Sequence, residues 1–179
     1  GKYGGYTEAN AQEFSKIMQR KLGWSRYGNP KYVSAVYRYL VFSSNGKWGS
    51  PFVGKDWNSR VSSDFGWRTD PLNGKKAFHE GLDIAYPTGT KIHAVSGGVV
   101  TSVVYSKTGY GHHVRVDCGN GVTVLYAHCS KILVTKGQSI STGQAIAEVG
   151  ATGRVTGAHL HLGVLVNGKE VNPREYIGG

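Results

Sequence analysis

The chain has 179 residues, 39% hydrophobic and 11% aromatic, which is enough for a packed core and too apolar for generic disorder. Its 21 Lys+Arg against 11 Asp+Glu leave a formal net charge of +10, which points to an anionic partner: nucleic acid, an anionic membrane face or the anionic polymers of a bacterial wall. No apolar run approaches the ~18 residues of a membrane span, the 27 glycines keep no three-residue period, and two cysteines are too few for a disulfide scaffold.

The chain opens on Gly1 rather than Met, with no charged segment leading into an apolar one. A processed product or a piece of a longer chain is therefore expected. Phe14, Ile17, Met18 and Leu22 fall at helical spacing after a possible cap at Thr7, and Gly23 ends the run. Pro30 starts a second helix whose apolar stripe is Val33, Val36, Tyr37, Leu40 and Val41. Residues 1–47 thus read as a helical appendage of two short helices, and residues 48–179 as a separate β domain. From Trp48 onward, Val99 to Tyr105, His113 to Cys118 and Val122 to His128 read as strands punctuated by turn glycines. The fold class expected is mainly β, an antiparallel sandwich or open-barrel-like domain. Lys, Arg and Tyr interleave near residues 26–39, but no recognition motif accompanies them, so nucleic acid is not an expected partner.

The turn Gly119-Asn120-Gly121 predicts a hairpin in which residues whose numbers sum to 240 face each other. Cys118 then pairs with Val122 and Cys129 falls near Gly111, roughly 23 Å away at ~3.3 Å per residue. A disulfide needs Cα atoms within ~7 Å, so two free thiols are expected. Neither cysteine has the C-x-x-C spacing of a structural zinc site.

The chemistry gathers on histidine. Of the seven in the chain, three placements stand out: His79-Glu80-Gly81-Leu82-Asp83, His128 at the end of a strand, and His159-Leu160-His161. Gly81 and Pro87 favour extended backbone over helix at the first. Residues i and i+4 then share one face, as do His159 and His161, with Leu160 and Leu162 pointing to a core. A catalytic zinc takes three protein ligands and leaves one position open. Four histidines and Asp83 exceed that need, so the surplus could handle protons. Spacing alone does not divide ligand from base. His93 and His113 read as satisfied surface or core residues.

These stretches resemble the lysostaphin-type, LytM-like zinc metallopeptidases, which cleave peptide bonds in bacterial peptidoglycan. The matching segments are Ser63-Asp-Phe-Gly-Trp-Arg68, His79 through Thr90, Gly97-Gly-Val-Val100, Tyr126-Ala-His128, Lys136-Gly-Gln138, Thr142-Gly-Gln144, and Gly150-Ala-Thr-Gly153 through Leu162. The resemblance implies one Zn²⁺ per chain held by His79, Asp83 and His161, with water in the fourth position. It puts His128 and His159 on the catalytic histidine positions. It further implies a secreted or cell-wall location, peptidoglycan as partner, and a zinc-dependent endopeptidase. The alternative is an inactive wall-binding or regulatory module. A monomer is expected. Leu162-Gly163 and His112 depart from the common pattern, and by the hairpin register His112 would face His128 at the edge of the groove. Arg68 matches a recurrent arginine, expected to be structural or groove-lining. The loops Thr69 to Phe78, Ser106 to Gly111 and Ala151 to Gly157 are the expected specificity determinants. Tyr27 to Val33 with Tyr37-Arg38-Tyr39 resembles the tail of a muramidase domain. Residues 1–47 carry a charge of +6 and residues 48–179 only +4, so contact with anionic wall polymers is expected through the N-terminal part.

Overall fold

A computed structural model describes residues 48–178, so the two expected N-terminal helices lie outside the described residues. Twelve strands follow in chain order: β1 (Val61–Ser63), β2 (Gly66–Thr69), β3 (Lys76–His79), β4 (Leu82–Ile84), β5 (Lys91–His93), β6 (Gly98–Val104), β7 (His112–Gly119), β8 (Val122–Ile132), β9 (Ser139–Ile140), β10 (Ala145–Val149), β11 (Leu160–Val166) and β12 (Lys169–Val171). The helical content of the described residues is two 3₁₀ turns, Asn58–Arg60 and Pro173–Glu175. The mainly-β expectation therefore holds, and the three strands foreseen between Val99 and His128 are β6, β7 and the first part of β8.

All pairings are antiparallel. Ten strands share one sheet, with the path β1-β4-β11-β8-β7-β6-β9 and with β12 on β11, β10 on β8 and β5 on β10; β2 and β3 form a separate hairpin. The centre of the sheet is apolar because it is covered on both faces. In β8 the run Val124 to Cys129 is entirely buried, and β11 is buried at every position but Leu165. β7 lies further out and alternates, with Val114, Val116 and Cys118 inward. The core also takes in Phe52, Ile92, Ile146 and Tyr176. The two ends of the described unit meet: the Trp48 and Tyr176 rings are 5.2 Å apart, and the Gly178 amide donates to the Gly49 carbonyl at 3.2 Å.

β8 bends at His128, where φ is 63°. Before the bend, Val122 to Ala127 pair with β11. After it, Cys129 to Ile132 pair with β10. A single strand thus serves two parts of the sheet, and the corner lies at a candidate catalytic residue.

The register of the β7–β8 hairpin sums to 240 from Val114↔Tyr126 through Asp117↔Thr123, as expected. It shifts by one at both ends, giving Gly119↔Val122 and His112↔Cys129. Cys118 and Cys129 form no disulfide, as the register argument required, and both are buried. Burial pushes each thiol up to about 12.

Candidate metal centre and active site

His79 and Asp83 do not share one strand. β3 ends at His79, the chain turns through Glu80-Gly81, and β4 carries Asp83 into the main sheet. There Asp83 pairs with His161 of β11, which sets the third residue beside the first two. The turn needs glycine for space. A Cβ on Gly81 would come within 2.5 Å of the Leu162 carbonyl and 2.7 Å of the His161 ring.

His79 Nε2, Asp83 Oδ1 and His161 Nδ1 converge. His161 Nδ1 is 2.9 Å from Asp83 Oδ1 and 3.3 Å from His79 Nε2, and His79 Nε2 is 3.2 Å from Asp83 Oδ1. All three residues are buried. Tetrahedral bonds of the length zinc makes to nitrogen and oxygen would separate ligand atoms by about 3.3 Å. The protonation pattern fits as well. His79 Nδ1 lies 2.8 Å from the Asp64 carbonyl, which can only accept, so Nδ1 carries the proton and Nε2 presents a lone pair. Lone pairs of two imidazoles and a carboxylate meeting out of water call for a cation at the centre. The residues fit zinc in number, type and spacing. Burial pushes the Asp83 carboxyl upward, but hydrogen bonds and charge from His161 and His79 outweigh it and hold the group well below the ordinary carboxylate range. On its outer side Asp83 Oδ2 is 3.5 Å from Arg68 Nη1, which also donates to Ser63 Oγ at 2.8 Å. Arg68 is therefore a support of the cluster.

His128 and His159 stand beside this cluster. Their ring centroids are 4.9 Å apart, and that of His128 is 5.9 Å from His161. His128 Nδ1 donates to the Thr152 carbonyl and His159 Nδ1 to the Gly157 carbonyl, each at 2.8 Å. Both rings are thus held by Nδ1, with Nε2 on the far side, and His159 Nε2 is 3.7 Å from Asp83 Oδ1. Burial, followed by the opposing Thr152 hydrogen bond and the repulsion of His159, leaves the His128 imidazole pushed down to about 4. At that value the His128 ring is neutral at pH 7.

The cluster lies at the floor of an open cleft of ≈ 670 Å³. Residues from all three expected loops line it, among them Asp70, Tyr110 and Arg154. Thr69 to Phe78 is not all loop, since Thr69 closes β2 and Lys76 to Phe78 belong to β3. His112 is not at the cleft. The register shift turns it away, its Nδ1 accepts from the Ser106 amide at 3.1 Å, and its ring packs 5.2 Å from Tyr105. His93 and His113 are bound to nearby backbone, as expected.

Tyr110 was not legible as a site residue. Its ring is 5.4 Å from His161 and its hydroxyl is 3.5 Å from Glu80 Oε2; burial, then the Glu80 charge, raises the phenol pKa. Arg154 was not legible either. It reaches across the cleft to Asp70, and no sequence spacing joins loops 84 residues apart.

The chain is similar to known proteins in sequence and in fold. A family model for peptidase family M23 matches residues 77–173. The DD-carboxypeptidase/endopeptidase Mpg of Neisseria meningitidis is 43% identical over 115 residues, 64% of this chain and 26% of that protein. The peptidoglycan DD-endopeptidase ShyA of Vibrio cholerae is 43% identical over 114 residues, 63% of this chain and 26% of that protein. The chain thus spans about a quarter of the length of these curated relatives. Among solved structures, a zinc containing peptidase from Vibrio cholerae superposes with a TM-score of 0.64 at 32% identity, over 72% of this chain and 39% of that one. The catalytic domain of the antimicrobial peptidase lysostaphin from Staphylococcus simulans gives 0.59 at 27% identity, over 66% of this chain and 92% of that one. The matched stretch begins on the strand that carries His79 and ends past β12, so it takes in the whole three-residue cluster and both neighbouring imidazoles: the chain belongs to peptidase family M23.

Proposed function

We propose that the chain is a zinc-dependent endopeptidase that hydrolyses peptide bonds in bacterial peptidoglycan, with His79, Asp83 and His161 as metal ligands and His128 and His159 as catalytic histidines. The observation that carries this reading is the pair of imidazoles with Nδ1 held on carbonyls and Nε2 on the far side, beside three converging ligand atoms. Zinc bound there would supply Lewis-acid polarisation of the scissile carbonyl and activation of water.

The protein's own groups do the rest. Nε2 of His128 or His159 accepts a proton from the attacking water, and the same pair can deliver one to the departing amine. The Thr152 and Gly157 carbonyls hold the rings in the tautomer this needs. Arg68 keeps Asp83 oriented from behind. The family membership and the names of the relatives support peptidoglycan as the substrate. A site of action outside the cytoplasm, at the wall, follows from that substrate. We take residues 48–179 as the peptidase unit and residues 1–47 as a basic segment for anionic wall polymers.

The test is digestion of purified peptidoglycans of different cross-link types, with fragments identified by mass spectrometry and zinc measured by elemental analysis. One zinc per chain and new peptide termini are expected. His79→Ala and Asp83→Ala should lose both zinc and activity, whereas His128→Ala and His159→Ala should keep zinc and lose activity by about a hundredfold or more. A His128→Ala protein of full activity would overturn the assignment. A chain without zinc that still binds wall would favour the binding-module reading.

A further inference from the structure

We propose that Arg154 is a specificity-determining residue of the cleft, reading a free carboxylate carried by the peptide substrate beside the scissile bond. The inference rests on the peptidase reading above. Arg154 Nη1 donates to Asp70 Oδ2 at 3.1 Å and Nη2 to Asp70 Oδ1 at 3.3 Å. This pairing uses the end of the guanidinium. An arginine has five N–H donors in a rigid fork, and its side edge, Nε–H with one Nη–H, matches a second carboxylate. That edge has no hydrogen-bond partner among the described residues, the side chain is 50% exposed, and it lines the cleft.

Both ends of the pair are anchored. Asp70 is only 12% exposed, and its Oδ1 also accepts from the Leu72 amide at 2.8 Å. That bond first, and Arg154 next, hold the Asp70 carboxyl below its ordinary range. The Arg154 amide donates to the Gly109 carbonyl at 2.8 Å. Next to it, a Cβ on Gly153 would lie 2.4 Å from both Gly109 O and Gly111 N, so the loop base is packed without slack. A guanidinium preset in this way binds a planar anion without first ordering a long side chain. The other arginine of the cleft, Arg68, is more enclosed at 29% and directs Nη1 at Ser63 and Asp83. Among the described residues, Arg154 is thus the cation most open to the cleft.

The ligand is a carboxylate: planar, bidentate, and abundant on stem peptides as terminal or side-chain groups. The test uses the full chain with zinc and sugar-free cross-linked peptides of one sequence. Each is made as free acid or carboxamide, in one series at the terminal carboxyl and in another at the side-chain carboxyl flanking the scissile bond. The unaltered enzyme should prefer the free acid about tenfold or more in kcat/KM in one series, mainly through KM. In Arg154→Gln the preference should fall to about one through loss of the acid rate, with the amide rate kept, and Arg154→Lys should restore only part. Asp70→Asn, followed together with thermal midpoints, reports what loosening the loops does by itself. No preference in the unaltered enzyme overturns the proposal. So does an equal slowing of acid and amide in Arg154→Gln, the pattern of an arginine that only ties the loops together. Failure to cut either form overturns the peptidase reading and this inference with it, whereas cleavage without discrimination overturns this inference alone.

Discussion

His128 occupies a backbone conformation that L-residues disfavour by about 1 kcal/mol or more, and its imidazole is held neutral by burial. The second fact has a sign that can be measured. Its folded pKa of about 4 lies below the ordinary 6.5, so between those values the unfolded chain binds more protons at this site. The contribution to stability is complete above pH 6.5 and is lost as pH falls through about 4. The difference in thermal midpoint between pH 7 and pH 4.5 should therefore shrink in His128→Gln, and an unchanged difference would count against a buried neutral ring. Gly81→Ala should cost about 1–3 kcal/mol by overpacking and reduce zinc per chain, because the added methyl meets the ring of His161. The five candidate residues were legible as histidine-rich stretches and through the family resemblance, whereas the shared strand face expected for His79 and Asp83 is replaced by a turn between β3 and β4. The φ of His128 was not legible, since it is set by where β8 changes partner.

Among elements, the β7–β8 hairpin shows how far local rules reach. The turn glycines fix the pairing from Val114 to Asp117, yet a one-residue shift toward the cleft takes His112 away from His128. Such bulges arise where the strand must fit the Thr152 loop, whose hydroxyl accepts from the His112 amide. Turn chemistry carries no trace of that contact. The β1–β2 segment shows a similar limit: Arg68 was assigned a structural or groove-lining role, but its placement behind Asp83 depends on β1 pairing with β4. Arg68→Gln should weaken zinc binding by about 10–100-fold without unfolding the domain, as read by competition with a chelating dye. Unchanged affinity would reduce the arginine to a surface role.

For the whole molecule, the strand-like runs and turn glycines predicted an antiparallel β fold, but the order of ten strands in the main sheet could not be read from them. That order sets β4 beside β11, and the turn at Glu80-Gly81 brings β3 of the separate hairpin up to them, so metal binding and folding should be linked. Chelation is expected to lower the thermal midpoint by several degrees. Added zinc should restore it, and neither treatment should move the midpoint of His79→Ala. The uneven charge leads to a further expectation: a chain starting at residue 48 should still fold and cleave, while its adsorption to walls becomes weaker and less sensitive to salt.

The two buried thiols give the protein an internal clock. Cys129 follows the bend of β8 directly, and Cys118 lies at the far end of β7. With both pKa values near 12 and both sulfurs out of solvent, an alkylating reagent can reach them only when the sheet opens. The rate at which each cysteine is modified under native conditions therefore times the breathing of its own region. If Cys129 is modified much faster than Cys118, the corner that carries His128 opens on its own. Equal rates would mean that the catalytic corner parts only when the whole sheet does.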